Sequence, residues 1–303
     1  MKILIVGLGS IAKKHIAAIR QFRPNAEIYA LRSRKDAIPY DTVNDWYDWE
    51  TAMTVKYDFV IISNPTANHR DTVEYLKNFA IPLFIEKPIF STLEGEELIS
   101  ELEEKQVPTY IACNLRFLEV LKNLQILIQG KRINEVNVYC GSYLPDWRPN
   151  TDYRKCYSAN SEMGGGVHID LIHEIDYIYW MFGKPISVQK QFSSRSSLDI
   201  SAYDYANYLL EYDGFYVTII LNYYRRESKR NCEIVTSEGT YVADLLKGTI
   251  VNGEGKIIQE YTQRIKDTYN DQMSKFLEML HSKNFDFNTA RDAYNVLKIC
   301  LEL

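Results

Sequence analysis

The stretch GGGVHIDLIHEIDYIYWMFG, residues 164–183, carries His168, Asp170, His173, Glu174 and Asp176. Histidine is the side chain whose ordinary pKa lies nearest neutrality, so an imidazole beside carboxylates can serve as a general acid or base. On one continuous helix, at about 100° per residue, Asp170 and Asp176 fall about 60° to either side of His173, and His168 points about 140° away. Ile169, Leu171, Ile172, Ile175, Ile178, Met181 and Phe182 fill most other directions, and a helix apolar all round is a buried one. A buried imidazole between carboxylates is either a core histidine held by an aspartate or a proton carrier, and the stretch alone weighs the two equally. Gly183 and Pro185, past the last apolar residue, stop the helix.

A second chemistry stands at the start of the chain. Residues 2–6 (KILIV) form a short apolar, β-rich run that enters Gly7-Leu8-Gly9-Ser10-Ile11-Ala12. A helical pattern follows, with Ile11, His15, Ile16 and Ile19 at three- and four-residue spacing. In a G-x-G-x-x-A turn between strand and helix the glycines let a pyrophosphate approach the helix N-terminus, whose free N–H groups and dipole favour an anion. Gly7, Gly9, Ser10 and Ile11 are therefore candidate dinucleotide contacts. The next strand, residues 27–31, runs into Arg32-Ser33-Arg34-Lys35, with no acid before Asp36. An acid there would bind the ribose 2′-OH of NAD, whereas cations and a hydroxyl suit a 2′-phosphate, so Arg32, Ser33 and Arg34 favour NADP over NAD.

These groups need a scaffold, and the first 115 residues supply an alternating one. Strands are expected at 57–63, 83–85 and 109–113, with helices at 69–79 and from a Ser91-x-x-Glu94 capping box to about 105. Alternation of this kind means right-handed crossovers and a doubly wound parallel sheet, a Rossmann domain over residues 1–115. Ligands of such sheets lie at the carboxyl ends of strands, where Gly7, Asn64, Lys87 and Asn114 fall.

From Arg116 the alternation stops. A helix at 117–129 and a strand at 133–140 precede an irregular segment, 140–163, of the length that is often functional. It contains Asp146-Trp147-Arg148-Pro149 and Asp152-Tyr153-Arg154-Lys155. Trp147, Arg148, Tyr153 and Arg154 would suit a sugar ring and an anionic group, and equally a surface loop closed by ion pairs. Strands are expected at 186–192, 202–212, 215–224, 232–236 and 240–243, with hairpin turns at Asp213-Gly214 and Asn252-Gly253. Helices at 269–280 and 290–301 close the chain. Residues 116–303 are thus expected to form one α/β substrate-binding and oligomerisation domain with a mostly antiparallel sheet.

Bulk properties narrow the partners. The 303 residues exceed one hydrophobic core, and 46% hydrophobic with 25% charged residues is a globular composition. A net charge of -5 without a basic block argues against nucleic acid. No apolar run spans a bilayer, and the N-terminal run is too short for a secretory leader. Five scattered cysteines offer neither a metal site nor a disulfide framework and suit a reducing cytoplasm.

The glycine-rich opening, the Asn64-Pro65-Thr66 turn, Glu86-Lys87-Pro88, and Gly164-Gly165-Gly166 followed by His173-Glu174-Ile175-Asp176 resemble the glucose–fructose oxidoreductase, inositol dehydrogenase and rhizopine-catabolism (Gfo/Idh/MocA) family. The resemblance spans almost the whole chain. It implies a Rossmann domain followed by an α/β domain with a large open antiparallel sheet, and hydride transfer between nicotinamide and a carbon of a sugar or cyclitol. Lys87 matches the family lysine at the substrate hydroxyl and nicotinamide ribose, in a Lys–Pro bond often cis in relatives. His173 matches the general acid/base, and Asp170 the aspartate that orients substrate or histidine. Many relatives separate those two by four residues, whereas here they are three apart; Ile175 and Asp176 keep His173 in register. His168 is expected to be a packed or loop-facing residue. The cofactor set then comprises Gly7, Gly9, Ser10, Ile11, Arg32, Ser33, Arg34, Asn64, Pro65, Thr66, His69, Glu86, Lys87 and Asn114. Arg116, Trp147, Arg148, Tyr153, Arg154, Asp170 and His173 form the substrate set.

The loop at 142–154 resembles members associated with surface-polysaccharide sugars, and its arginines suit an acidic or nucleotide-linked one. Relatives also suggest a homodimer or homotetramer built on the outer sheet face. Two alternatives remain from the sequence: an NAD-dependent glycoside-cleaving member of the same family, and a non-catalytic nucleotide sensor, against which Lys87 and His173 together argue.

Overall fold

The computed structural model describes residues 1–301. The chain forms two compact units, Met1–Cys113 with Tyr269–Lys298, and Asn114–Thr268 with the chain from Ile299. A single cut at 115/116 assigns residues 269–298 to the second domain; here they belong to the first.

The first unit is built on six parallel strands: β1 (Lys2–Val6), β2 (Glu27–Leu31), β3 (Val43–Trp46), β4 (Phe59–Ile62), β5 (Leu83–Ile85) and β6 (Thr109–Ile111). They lie in the order β3-β2-β1-β4-β5-β6, the doubly wound arrangement whose order reverses beside β1. Helices α1 (Ser10–Phe22), α2 (Trp49–Ala52), α3 (His69–Leu76) and α4 (Glu96–Glu104) connect them. All residues of β4, β5 and β6 are buried, as are Ile3 to Val6 of β1. That explains why these strands read as unbroken apolar runs. Strand β3 (VNDW) is only half-buried, and its polar sequence hides it from a hydrophobicity pattern.

The Ser91-x-x-Glu94 box does not cap a helix. Glu94 N–H donates to Thr92 Oγ1 (3.4 Å) in a local turn, and α4 begins only at Glu96, after Gly95 at φ 145°. The Phe90 ring lies 2.8 Å from where a Gly95 Cβ would sit, so the chain is turned around that ring before it can coil.

In the second unit α5 (Glu119–Ile128) precedes β7 (Ile133–Tyr143), and α6 (Val167–Asp170) and α7 (His173–Phe182) precede seven more strands. These are β8 (Ser187–Ser193), β9 (Tyr205–Tyr212), β10 (Phe215–Asn222), β11 (Tyr224–Thr236), β12 (Gly239–Asp244), β13 (Thr249–Asn252) and β14 (Ile257–Glu260). The eight strands run β14-β13-β12-β11-β7-β10-β9-β8. Only β7 and β10 pair in parallel; the other pairs are antiparallel. Alternate residues, such as Val136, Val138, Ala206, Tyr208, Leu210, Val217, Ile219 and Ile234, are buried. Their neighbours Asn137, Tyr139, Asn207, Leu209, Thr218, Ile220 and Glu233 remain half-exposed on the opposite face, the period-two signature of a sheet covered on one side.

The segment expected to be irregular is partly regular. Strand β7 extends to Tyr143, and three short 3-10 turns follow at Leu144–Trp147, Tyr153–Lys155 and Tyr157–Ala159.

The last helices are α8 (Thr268–Ser282) and α9 (Ala290–Leu301). Within the first unit Phe276 of α8 meets Phe59, Phe84 and Tyr110 at 5.0, 5.1 and 5.5 Å between ring centroids. Ile111 N–H donates to Asn288 O (2.7 Å), and Arg291 forks onto Glu103. Buried aromatic area of this kind is stabilising and ties the C-terminal segment to the unit. Among the described residues no helix is long and apolar enough to cross a membrane.

Candidate active site

In the first unit the glycine turn has the geometry its sequence implies. Gly7 adopts φ 87°, and a Cβ there would lie 2.6 Å from Asn64 Cα, so only glycine lets the β1 and β4 ends approach this closely. Gly9 is the N-cap of α1, without a side-chain cap bond and with no acid in the first turn; a Cβ on it would meet nothing within 4 Å. Ser10 is exposed and Ile11 half-exposed. Uncapped amides, open space and Lys13 and Lys14 in the following turn fit the pyrophosphate of a dinucleotide.

The end of β2 is more committed than its sequence suggests. Arg32 donates to Asp45 Oδ2 of β3 (2.7 Å) and to Ile38 O (3.0 Å). Its guanidinium is therefore occupied, and the unexpected strand β3 supplies the acid. Ser33 and Arg34 are exposed, Arg34 in an exposed fork onto Asp36 (2.9 and 2.6 Å).

Around Lys87 several predicted contacts turn out to be internal supports. Glu86 is 8% exposed; its Oε1 accepts from His15 Nε2–H (2.6 Å) and its Oε2 from Lys87 N–H (3.2 Å). His69 is 1% exposed, with Nε2 3.0 Å from Asn64 O and Nδ1 3.0 Å from Pro88 O. Burial lowers the His69 pKa, against the opposing pull of these carbonyls and of Glu86. Asn64 Nδ2 donates to Thr72 Oγ1 (2.9 Å). Pro65 is exposed and Thr66 half-exposed at the head of a short 3-10 turn. Lys87 is half-exposed and joined to Pro88 by a cis peptide bond.

In the second unit the stretch 164–183 is not one helix. It breaks at Leu171 (φ -100°, ψ 26°), so α6 ends at Asp170 and α7 starts at His173. The even 100° rotation therefore fails across the break, and His173 is half-exposed rather than buried. Packing explains two of the three glycines, and Gly164 adopts φ 78°. A Cβ on Gly165 would run into Tyr157 O, and one on Gly166, at φ 141°, would lie 2.7 Å from the His168 ring. His168 is the buried histidine, 7% exposed, with Phe192 and Tyr203 at 5.0 and 5.4 Å. Burial lowers its pKa to about 4, with Asp170 opposing, so it is neutral at physiological pH and packs as an aromatic residue.

Each carboxylate near His173 has its own partner. Asp170 Oδ2 accepts from the Tyr223 hydroxyl at 2.5 Å. Tyr223 is fully buried; burial first, and then Asp170, raise its pKa well above the ordinary value, so its O–H stays a donor. Asp176 does not flank His173 as a proton partner; it receives a fork from Arg116 Nε (3.0 Å) and Nη2 (2.6 Å). Glu174, fully buried, receives one from Arg230 (2.5 and 3.0 Å). Burial alone would lower the Arg230 pKa, but Glu174 outweighs it and the net direction is up. Arg116, expected in the substrate set, is 5% exposed and positions α7 through Asp176.

Other predicted contacts divide similarly. Asn114 is buried and donates to Thr268 Oγ1 (2.8 Å). Trp147, 39% exposed, donates to Ser142 Oγ (2.9 Å) and meets the Tyr223 ring edge-on at 5.3 Å. Trp147, Tyr223 and Asp170 thus form one connected wall. Tyr153 donates to Leu198 O (3.0 Å), and the Arg154 guanidinium lies over the Tyr153 ring at 4.9 Å. Arg148 is exposed. Sequence reasoning missed Tyr223, Arg230, Asp45 and the role of His15, whose partners lie 53, 56, 13 and 71 residues away. No local spacing signals such pairs.

A doubly wound parallel sheet with an open glycine turn at the reversal of strand order defines a dinucleotide-binding protein. Residues 1–112 match the oxidoreductase family with an NAD-binding Rossmann fold, and residues 121–242 match the GFO/IDH/MocA C-terminal domain. The chain belongs to the Gfo/Idh/MocA family of NAD-binding oxidoreductases. It is 21% identical over 306 residues to the uncharacterized oxidoreductase YrbE of Bacillus subtilis (strain 168), covering 91% of this chain and 85% of that protein. Among solved structures it resembles the scyllo-inositol dehydrogenase of Lactobacillus casei with bound NAD(H) and scyllo-inositol (TM-score 0.80, 22% identity, 100% and 95% of the two chains). It also resembles the WlbA dehydrogenase of Bordetella pertussis in complex with NADH and UDP-GlcNAcA (TM-score 0.81, 18% identity, 99% and 93%). At these identities the structures speak for the fold.

Proposed function

We propose that this enzyme moves hydride between a nicotinamide cofactor and the carbinol carbon of a sugar or sugar derivative. When bound, the nicotinamide supplies the hydride acceptor or donor. His173 takes the hydroxyl proton when the alcohol is oxidised and returns it in the reverse direction. Lys87 hydrogen-bonds the same oxygen and stabilises its developing charge. Asp170 orients a substrate hydroxyl or the imidazole. The observation that carries this reading is the helix break before His173. It leaves the imidazole half-exposed at the first position of α7, three residues after Asp170, whose carboxylate accepts from the Tyr223 hydroxyl.

Trp147, Arg148 and Arg154 extend the substrate set, with Trp147 stacking a ring and the arginines meeting an acidic or nucleotide-linked group. The scyllo-inositol and UDP-GlcNAcA carried by the two solved relatives support both a polyol and an acidic nucleotide sugar as test compounds. For the cofactor, Ser33 and Arg34 favour NADP, with Arg34 exchanging its exposed bond to Asp36 for a 2′-phosphate. The half-exposed sheet face supports a homodimer or homotetramer, and five scattered cysteines, four of them buried, suit a reducing cytoplasm.

The test is a panel of inositols, neutral sugars, uronic acids and nucleotide-linked sugars with NAD+ and NADP+, followed by reduced-nicotinamide absorbance. Substrate-dependent reduction with at least one compound supports the reading. Tight binding of either cofactor with no reduction across the panel would replace it with the nucleotide-sensing alternative. Glycoside cleavage without net reduction would select the glycoside-cleaving one.

A further inference from the structure

Two buried histidines of the first unit flank the segment that carries Lys87. His15, in α1, is fully buried, with its ring against Phe84 (4.9 Å) and Tyr269 (6.0 Å). It lies six residues past Gly9, the helix N-cap. Its Nε2–H donates to Glu86 Oε1 (2.6 Å), and the other oxygen of that carboxylate accepts the Lys87 backbone N–H (3.2 Å). A path of two side chains therefore joins the helix of the glycine turn to the backbone of Lys87.

A second path reaches the other side of the same residue. Gly7 touches Asn64 so closely that no Cβ fits between them. Asn64 O faces His69 Nε2 (3.0 Å), and His69 Nδ1 faces Pro88 O (3.0 Å) and Ile89 O (3.3 Å). The glycine turn is thus tied to the residue before Lys87 through His15 and to the residue after it through His69. Stability alone does not account for this choice. A buried imidazole and carboxylate must be desolvated, and apolar side chains of similar volume commonly do as well or better in a core. What the polar pair adds is direction, because a hydrogen bond fixes where the Glu86 carboxylate, and so the Lys87 amide, must lie.

We propose that His15 and His69 are positioning residues that couple the dinucleotide-binding turn to Lys87, so that seating the cofactor fixes the Lys87 backbone. The inference rests on the reading that Lys87 acts beside the nicotinamide. The test uses the full chain and NADH as probe. NADH affinity is measured by fluorescence, and Lys87 accessibility by acetic anhydride labelling read as a peptide mass. In the wild type, NADH is expected to slow Lys87 labelling by about fivefold or more. His15→Ala should bind NADH within about threefold of wild type yet protect Lys87 less than about twofold, and His15→Gln, which keeps a donor for Glu86, should recover protection. Glu86→Gln keeps the size of the side chain but leaves one acceptor oxygen where the His15 and Lys87 N–H groups use two, so it makes the same comparison if His15→Ala does not fold. Full protection in a folded His15→Ala or Glu86→Gln variant overturns the coupling, and so does loss of NADH binding in step with protection. NADH binding to wild type without any protection of Lys87 instead overturns the role given to Lys87 itself.

Discussion

The two units hold their reactive side chains by different means. In the second, His173 is the first residue of α7, and the acids one and three positions later are gripped by Arg230 and Arg116 in buried two-point forks. In the first, Lys87 sits on a loop at a strand end, and the ties reach its own backbone and its neighbours' through His15, Glu86 and His69. The contrast follows from what each must fix. A helix moves as a body, so anchoring its first turn aims every side chain on it. A loop has no such body, and its peptide groups must be bound one by one.

The sharpest way to break this comparison is to remove one arginine of the second unit. Arg116→Ala or Arg230→Ala leaves a buried carboxylate without its fork, a change that costs about 3–5 kcal/mol. Urea unfolding followed by tyrosine and tryptophan fluorescence should register it. A loss under about 1 kcal/mol would mean that the forks do not anchor α7.

Acid should then single out His168 within the 164–183 stretch. The folded pKa of His168 is about 4, below the ordinary value of about 6.5. The folded state therefore disfavours the proton that the unfolded chain accepts. Its contribution to stability is complete above about pH 6.5, declines as pH falls towards 4, and is gone below it. The window amounts to about 3 kcal/mol. His168→Phe should flatten that part of the stability–pH curve; an unchanged curve would place His168 outside the apolar pocket.

Tyr223→Phe is expected to act more gently. It removes one hydrogen bond to a carboxylate, worth about 1.5–3 kcal/mol. Turnover should fall by about tenfold or more, with NADH affinity unchanged. Equal losses in turnover and cofactor affinity would deny Asp170 its orienting role. The smallest effect belongs to Arg34→Ala, which should weaken NADPH binding by about fivefold while sparing NADH. Equal affinity of the variant and wild type for NADPH would remove the case for the 2′-phosphate.

What could be read from the sequence follows the range of the interactions. Strand β1, the glycine turn and β5 are local apolar runs with local punctuation, and they stand where the pattern puts them. The mostly antiparallel second sheet follows from the change of period near Arg116 and from the Asp213-Gly214 turn. The hidden features are non-local. Arg116 falls in the expected substrate set because nothing near it in sequence reveals Asp176, 60 residues on. The apparent buried histidine is His168, not His173, because a two-residue break resets the helical phase. Gly166 faces the His168 ring and Gly165 faces Tyr157 O, so two members of the triple glycine that reads as a motif serve packing. The cation cluster at the end of β2 looked uniform, yet β3 brings Asp45 to Arg32 and leaves Ser33 and Arg34 as the exposed members.

The most direct test of the account pairs Lys87→Ala with His173→Ala on a substrate found in the panel, measuring NADH affinity and turnover together. Both variants should still bind NADH while turnover falls by roughly 10²–10⁴. Turnover near the wild-type rate in either variant would contradict the assignment of proton transfer to His173 or of oxygen stabilisation to Lys87.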